Sequence, residues 1–346
     1  MKRVLSIQDI SCLGKCSLTV ALPIISAMGI ETSIVPTAVL STHTKFNNFT
    51  FRDLTDDMEG IKNHWLKEGF NFDAIYTGYL GSEEQVNIVS DFFSAFGNND
   101  NYIIVDPAMA DNGKMYTGFT TDFAITMSQL CSKADIILPN ISEACFMLNR
   151  KYVGENASLV TIKELLLELI KLGSKYAVIT GVTLPKGELG FIGYDSSNKD
   201  FFMYGTKEVP IKSHGTGDVF ASTFTGALMN DYSVFDALKI AADFTYLCIE
   251  DTYKDPNAVD YAVNFETQIP NLLKLLNRKN YVLYFPCKSI FSSKNLGKNE
   301  TYISSIFPFC YYIFYNRLFS NYFAYFAKTS TLSVFSHGTS ISFLPK

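Results

Sequence analysis

Along the first 280 residues, short apolar runs rich in Val, Ile and Tyr alternate with stretches in which apolar residues recur every three or four positions. Arg3–Ile7 and Ser33–Thr37 have the composition of strands, with a helix predicted between them near Ser17–Met28. Leu54, Met58, Ile61 and Trp65 fall on one helical face, ahead of a strand at Asp73–Thr77. Ser82 followed three residues later by Gln85 has the form of a capping box and opens a helix carrying Val86, Val89 and Phe93. Strands at Tyr102–Val105, Asp135–Leu138 and Tyr176–Thr180 alternate with helices near Thr121–Leu130, Ile141–Leu148 and Thr161–Leu172. Glu188–Tyr194 and Asp200–Tyr204 suggest a hairpin, and helices follow at Thr216–Met229, Val234–Glu250 and Phe265–Leu276. This alternation predicts an α/β fold of three layers with a mostly parallel central sheet.

The pattern changes near residue 280. Residues 281–346 hold 18 of the 50 aromatics and balance at +5, leaving −10 for residues 1–280 out of a total of −5. That segment shows neither helical nor strand periodicity, and Pro308, Asn316 and Arg317 interrupt its apolar stretch before it reaches the ~20 residues of a spanning helix. The chain therefore reads as two parts, 1–280 and an aromatic appendage at 281–346, with no membrane anchor expected. A net acidic chain offers no broad basic surface, so nucleic acid is not an expected partner. Seven scattered cysteines and an acid at Asp9 ahead of any long apolar run point to a reduced, cytoplasmic protein.

In open α/β sheets ligands bind beyond the carboxyl ends of the strands. Here those ends carry Asp9, Thr77-Gly78-Tyr79, Asp106-Pro107, Pro139-Asn140 and Thr180-Gly181. The sharpest local signal is His214-Gly215-Thr216-Gly217-Asp218, a turn of small residues entering a helix. Its amides and the helix N-terminus suit an anion, and Asp218 suits a general base; a first-turn acid placed for the dipole fits equally. Asp106 and Asp111 suit a hard cation such as Mg²⁺, or a turn. Asn140 and Glu143 have the spacing of a capping box. His43, in Ser41-Thr42-His43-Thr44, precedes an aromatic, polar loop at Lys45–Phe51, and Lys15 is a candidate cation near phosphate. A loop over a nucleotide is expected around Val182–Gly187. No Walker A string is present, so a P-loop kinase is excluded.

In order along the chain, Ile7-Gln8-Asp9-Ile10-Ser11, Gly14 to Pro23, Ser41 to Thr44, Thr77 to Gln85, Asp106 to Asp111, Leu138 to Ala144, Thr180-Gly181 and Gly215 to Asp218 resemble the ribokinase-like vitamin kinases, most closely the pyridoxal/pyridoxamine kinases. The resemblance implies ATP-dependent phosphorylation of the hydroxymethyl group of a B6 vitamer. It implies Asp218 as catalytic base, with Gly215, Thr216 and Gly217 as the anion hole, and Asp106, Asp111 and Glu143 as acids on the Mg²⁺ side. Asp9, Ser11, His43, Thr44 and Tyr79 correspond to the vitamer pocket, and Asn140, Thr180, Gly181 and Tyr116 to the nucleotide side. ATP and Mg²⁺ are the implied cofactors, a monovalent cation stays open, and the family implies a homodimer. Asp9 departs from the Ser common in the family, which bears on ring specificity. Hydroxymethylpyrimidine kinase and a non-catalytic vitamer-binding protein are the alternatives.

Overall fold

The structure, a computed structural model, describes residues 1–211 and 213–276 and, as backbone only, 334–336 and 339–341. Contacts divide the chain into two units, Met1–Asn280 and Tyr281–Lys346. In the second unit, β12 (Val334–Ser336) and β13 (Thr339–Ile341) form an antiparallel pair. The aromatic stretch that set this segment apart in sequence otherwise lies outside the described residues.

The first unit opens with β1 (Arg3–Ser11), α1 (Leu18–Ala27), β2 (Glu31–Leu40), β3 (Phe51–Asp53), α2 (Thr55–Glu68), β4 (Ala74–Thr77), α3 (Glu83–Phe96) and β5 (Tyr102–Val105). A small hairpin, β6 (Ala110–Asp111) and β7 (Lys114–Met115), precedes α4 (Thr121–Cys131), β8 (Ile136–Ile137), α5 (Ile141–Met147) and α6 (Leu159–Ile170). The chain continues through β9 (Tyr176–Leu184), β10 (Glu188–Asp195), β11 (Asp200–Lys207), α7 (Thr216–Met229), α8 (Val234–Lys254) and α9 (Ile269–Leu276). Nine strands form one sheet in the order β11-β10-β9-β8-β5-β4-β1-β2-β3. Its middle pairs are parallel, and β3, β10 and β11 join antiparallel at the edges.

Both faces of the parallel strands are covered, which is why they read as nearly continuous apolar runs. Alternate residues serve opposite layers. Leu5, Ile75, Val105, Ile137 and Ile179 pack with α2 to α6, while Val4, Tyr76, Ile104, Ile136 and Val178 pack with α1, α7, α8 and α9. The three-layer α/β architecture is therefore as the periodicity indicated. Two local expectations need correction. Phe51 begins β3 instead of closing a loop, because its backbone pairs with Leu40 of β2. The Val182–Gly187 segment is no free loop: Val182–Leu184 pair with β10, leaving only a tight turn with Lys186 and Gly187 at positive φ. Among the described residues no helix is long and apolar enough to cross a membrane, and Cys12, Cys16, Cys131, Cys145 and Cys248 are free.

Candidate active site

At the carboxyl ends of β5, β8 and β9 lies a cavity of about 350 Å³, closed on its other side by the start of α7 and one face of α8. Gly215 caps α7 in the left-handed conformation, φ +80°, and a Cβ there would stand 2.5 Å from the Lys15 carbonyl oxygen. Only glycine fits, and the turn it permits brings Thr216, Gly217 and Asp218 into the cavity wall. Asp218 sits in the first helical turn, where the backbone N–H of Ser17 donates to its carboxylate. Burial nevertheless outweighs that bond, and with the charge of Asp9 it pushes Asp218 up to about 7.

Asp106, at the end of β5, faces Gly217: a Cβ on that glycine would lie 4.0 Å from Asp106 Oδ2. Burial and then the charge of Asp218 raise its carboxyl to about 8, and among the described residues no donor reaches it. Glu143 behaves differently. Its Oε2 accepts from Asn140 N at 2.8 Å and its Oε1 from Met109 N at 3.2 Å, while Asn140 Oδ1 accepts from Glu143 N. The capping box is therefore formed, and its spare oxygen ties the Asp106–Ala110 segment to α5. Asn140 Nδ2 adds a bond to the Ala110 carbonyl at 2.8 Å. Burial and Asp106 raise the Glu143 carboxyl. Asp111 is exposed and accepts from Asn112 N and Nδ2. Asp106, Asp111 and Glu143 thus line one cavity without forming a three-carboxylate cage, and no other group of three acidic, His or Cys side chains suited to a metal occurs among the described residues. Asp106, a hard oxygen donor with no competing partner among the described residues, fits Mg²⁺ of the kind held by one carboxylate and the phosphates of a substrate.

Tyr116, Asn140, Thr180 and Gly181 line the same cavity. Asn140 and Thr180 are bridged through the backbone, and burial raises the Tyr116 phenol. Asp9, Ser11, His43, Thr44 and Tyr79 do not line it; Asp9 and Ser11 lie at the end of β1 and Tyr79 follows β4. Asp9 acts electrostatically on both Asp218 and Tyr79, whose phenol burial and Asp9 push up to about 12. His43 Nδ1 accepts from Lys45 N at 3.2 Å and Nε2 lies 3.1 Å from the Tyr261 carbonyl, so both ring nitrogens of the neutral imidazole are engaged. Its ring stacks on His214, a cavity residue, at 5.8 Å between centroids. Thr44 is exposed. Lys15 is turned away as a phosphate ligand: its Nζ pairs with Glu266 at 2.9 Å.

Motif reasoning missed the far wall. Val209, Ile211, Ala242, Thr245, Tyr246 and Ile249 provide a largely apolar part of the cavity lining. They belong to no short string, and the periodicity of α8 was the single signal that placed several of them on one face.

A largely apolar slot, a helix N-terminus and a recessed carboxylate around one cavity are parts suited to a nucleotide-dependent phosphotransferase. The sequence profile described as phosphomethylpyrimidine kinase matches residues 22–261. The chain belongs to the phosphomethylpyrimidine kinase family. A solved relative within it, a putative phosphomethylpyrimidine kinase from Bacteroides thetaiotaomicron in a crystal form with pyridoxal, is 37% identical. The match covers 78% of this chain and 95% of that one, with a TM-score of 0.75. Pyridoxal kinase from Lactobacillus plantarum is 28% identical, covering 80% and 98%, with a TM-score of 0.73. Among curated proteins, the chloroplastic thiamine biosynthetic bifunctional enzyme of Arabidopsis thaliana is 26% identical over 193 residues, 56% of this chain but 34% of that protein. The phosphomethylpyrimidine kinase family thus accounts for the ribokinase-like architecture and for the order of the motifs along the sheet rim.

Proposed function

We propose that this chain transfers the γ-phosphoryl group of ATP to the hydroxymethyl group of a B6 vitamer, giving the 5′-phosphate. The observation that carries the reading is the position of Asp218, raised to about 7 at the start of α7, in the wall of the cavity that Asp106 also lines and within electrostatic reach of Asp9. The pyridoxal in the 37%-identical Bacteroides relative and the pyridoxal kinase from Lactobacillus plantarum support the vitamer as acceptor. Hydroxymethylpyrimidine is the second candidate, favoured by the family's description.

Asp218 takes the proton of the acceptor hydroxyl, a role for which a value near neutrality is suited. The amides of Gly215, Thr216 and Gly217 meet negative charge on the transferred phosphoryl group, with the helix dipole behind them. Asp106 would hold Mg²⁺, with Asp111 and Glu143 acting through water. Mg²⁺ bound there supplies neutralisation of phosphate charge. Asn140, Thr180, Gly181 and Tyr116 border the nucleotide, and Ser11, His43, Thr44 and Tyr79 border the vitamer with Asp9. We assign this chemistry to residues 1–280, with 281–346 an appendage; a monovalent cation and a homodimer are carried over from the family resemblance.

The test is ADP release with MgATP against pyridoxal, pyridoxamine, pyridoxine and hydroxymethylpyrimidine, in wild type and Asp218→Asn. B6-dependent turnover that falls by about 10²–10⁴-fold in the variant is expected. Turnover with the pyrimidine alone would move the acceptor to thiamine chemistry, and none with any acceptor would refute the kinase reading.

A further inference from the structure

Asp9 is a buried acid of the first unit that neither lines the cavity nor meets a cation among the described residues. Its side chain is 3% exposed at the end of β1, where the register against β2 slips between Gln8 and Ile10. Ser11 Oγ donates to its Oδ2 at 2.9 Å, and the Ser17 hydroxyl adds a further bond. The titratable groups around it are the Cys16 thiol, the Tyr79 phenol after β4 and the Asp218 carboxyl on α7. None is positive, and no ion pair among the described residues includes Asp9. A buried carboxylate held by hydroxyls but lacking a countercharge is costly unless a cation reaches it. Asp106 would have Mg²⁺ as its counterpart, whereas Asp9 lies within electrostatic reach of the Tyr79 phenol, on the side proposed for the acceptor.

We propose that Asp9 binds a protonated nitrogen of the acceptor, so that the site selects a cationic heteroaromatic alcohol over its neutral isostere. The Ser11 and Ser17 hydroxyls hold the carboxylate in place, leaving it an acceptor directed at the ligand. The inference rests on the kinase reading for its acceptor, but an equilibrium measurement tests it apart from turnover.

Wild type and Asp9→Asn, which keeps the side-chain shape, are compared on pyridoxine, on its analogue with the ring nitrogen replaced by C–H, and on pyridoxamine. Both kcat/KM and the ligand Kd without ATP are read. Wild type is expected to favour pyridoxine over the carbocyclic analogue by about 10–100-fold, the strength of a hydrogen bond to a charged group, and Asp9→Asn to collapse that preference. Collapse for pyridoxine identifies the ring nitrogen; collapse confined to pyridoxamine identifies the exocyclic amine, and either supports the proposal. An unchanged preference, or equal losses on all three ligands, overturns it. If wild type phosphorylates nothing, the kinase reading fails and the Kd ratios still decide the role of Asp9. If Asp9→Asn does not fold, Asp9→Ser is read by the same ratios.

Discussion

Replacing Asp106 by Asn removes an ionisable group from a place where its charge is expensive. In the folded chain, burial and Asp218 hold this carboxyl at about 8, against an ordinary 3.8 when the chain is unfolded. A raised folded value means that the native state binds the proton more tightly. The resulting stability is present in full at acid pH and is lost as pH climbs from about 4 towards 8, at about 1.4 kcal/mol per pH unit. At pH 7 the unfolded carboxylate has shed its proton while the folded one keeps it, a cost of roughly 4 kcal/mol, against roughly 1.6 kcal/mol at pH 5. Asn carries no such cost. Asp106→Asn should therefore be more stable than wild type without divalent cations, by a margin that widens with pH. Urea unfolding in EDTA at pH 5, 6 and 7 reads this, with the single Trp65, half-buried against the core on α2, as reporter. The same variant should lose Mg²⁺-dependent phosphotransfer, since a neutral amide replaces its anionic oxygen donor. A margin flat across pH, or a variant less stable at pH 7, would refute the reasoning.

Two further outcomes follow from contacts at the rim. Gly14 lies at φ +124°, and a Cβ there would sit 2.0 Å from His43 Cδ2, so Gly14→Ala should destabilise by about 1–3 kcal/mol and displace His43; an unchanged melting temperature by calorimetry would contradict this. Glu143→Ala should cost about 3 kcal/mol in chemical unfolding, because the N–H groups of Asn140 and Met109 both lose their acceptor. Glu143→Gln, which keeps one acceptor, should cost less.

Much of this molecule was readable from short windows. Ser82 caps α3 as its spacing indicated, with its hydroxyl accepting from Gln85 N. The reciprocal half differs, since Gln85 Oε1 takes the Gly81 N–H and its amide reaches Thr37 and Thr55. The Asn140–Glu143 box formed as well, yet only the fold shows that its second oxygen clamps Met109, 34 positions earlier. His43 drew notice as a possible reactive group, but its nitrogens are spent on Lys45 and Tyr261, the latter 218 positions away.

What the sequence by itself determined is the alternation of strands and helices, the glycines at the start of α7 and the acids at the strand ends. Periodicity, capping and turn preference act over a few residues and are written locally. Only the tertiary structure decided that Asp218 lies within electrostatic reach of both Asp106 and Asp9, that Lys15 is held by Glu266, and that α8 walls the cavity. The physical reason is that charge neighbourhoods and burial arise when distant strands pair: β4 lies between β1 and β5 in the sheet, and those contacts set each carboxyl's proton affinity.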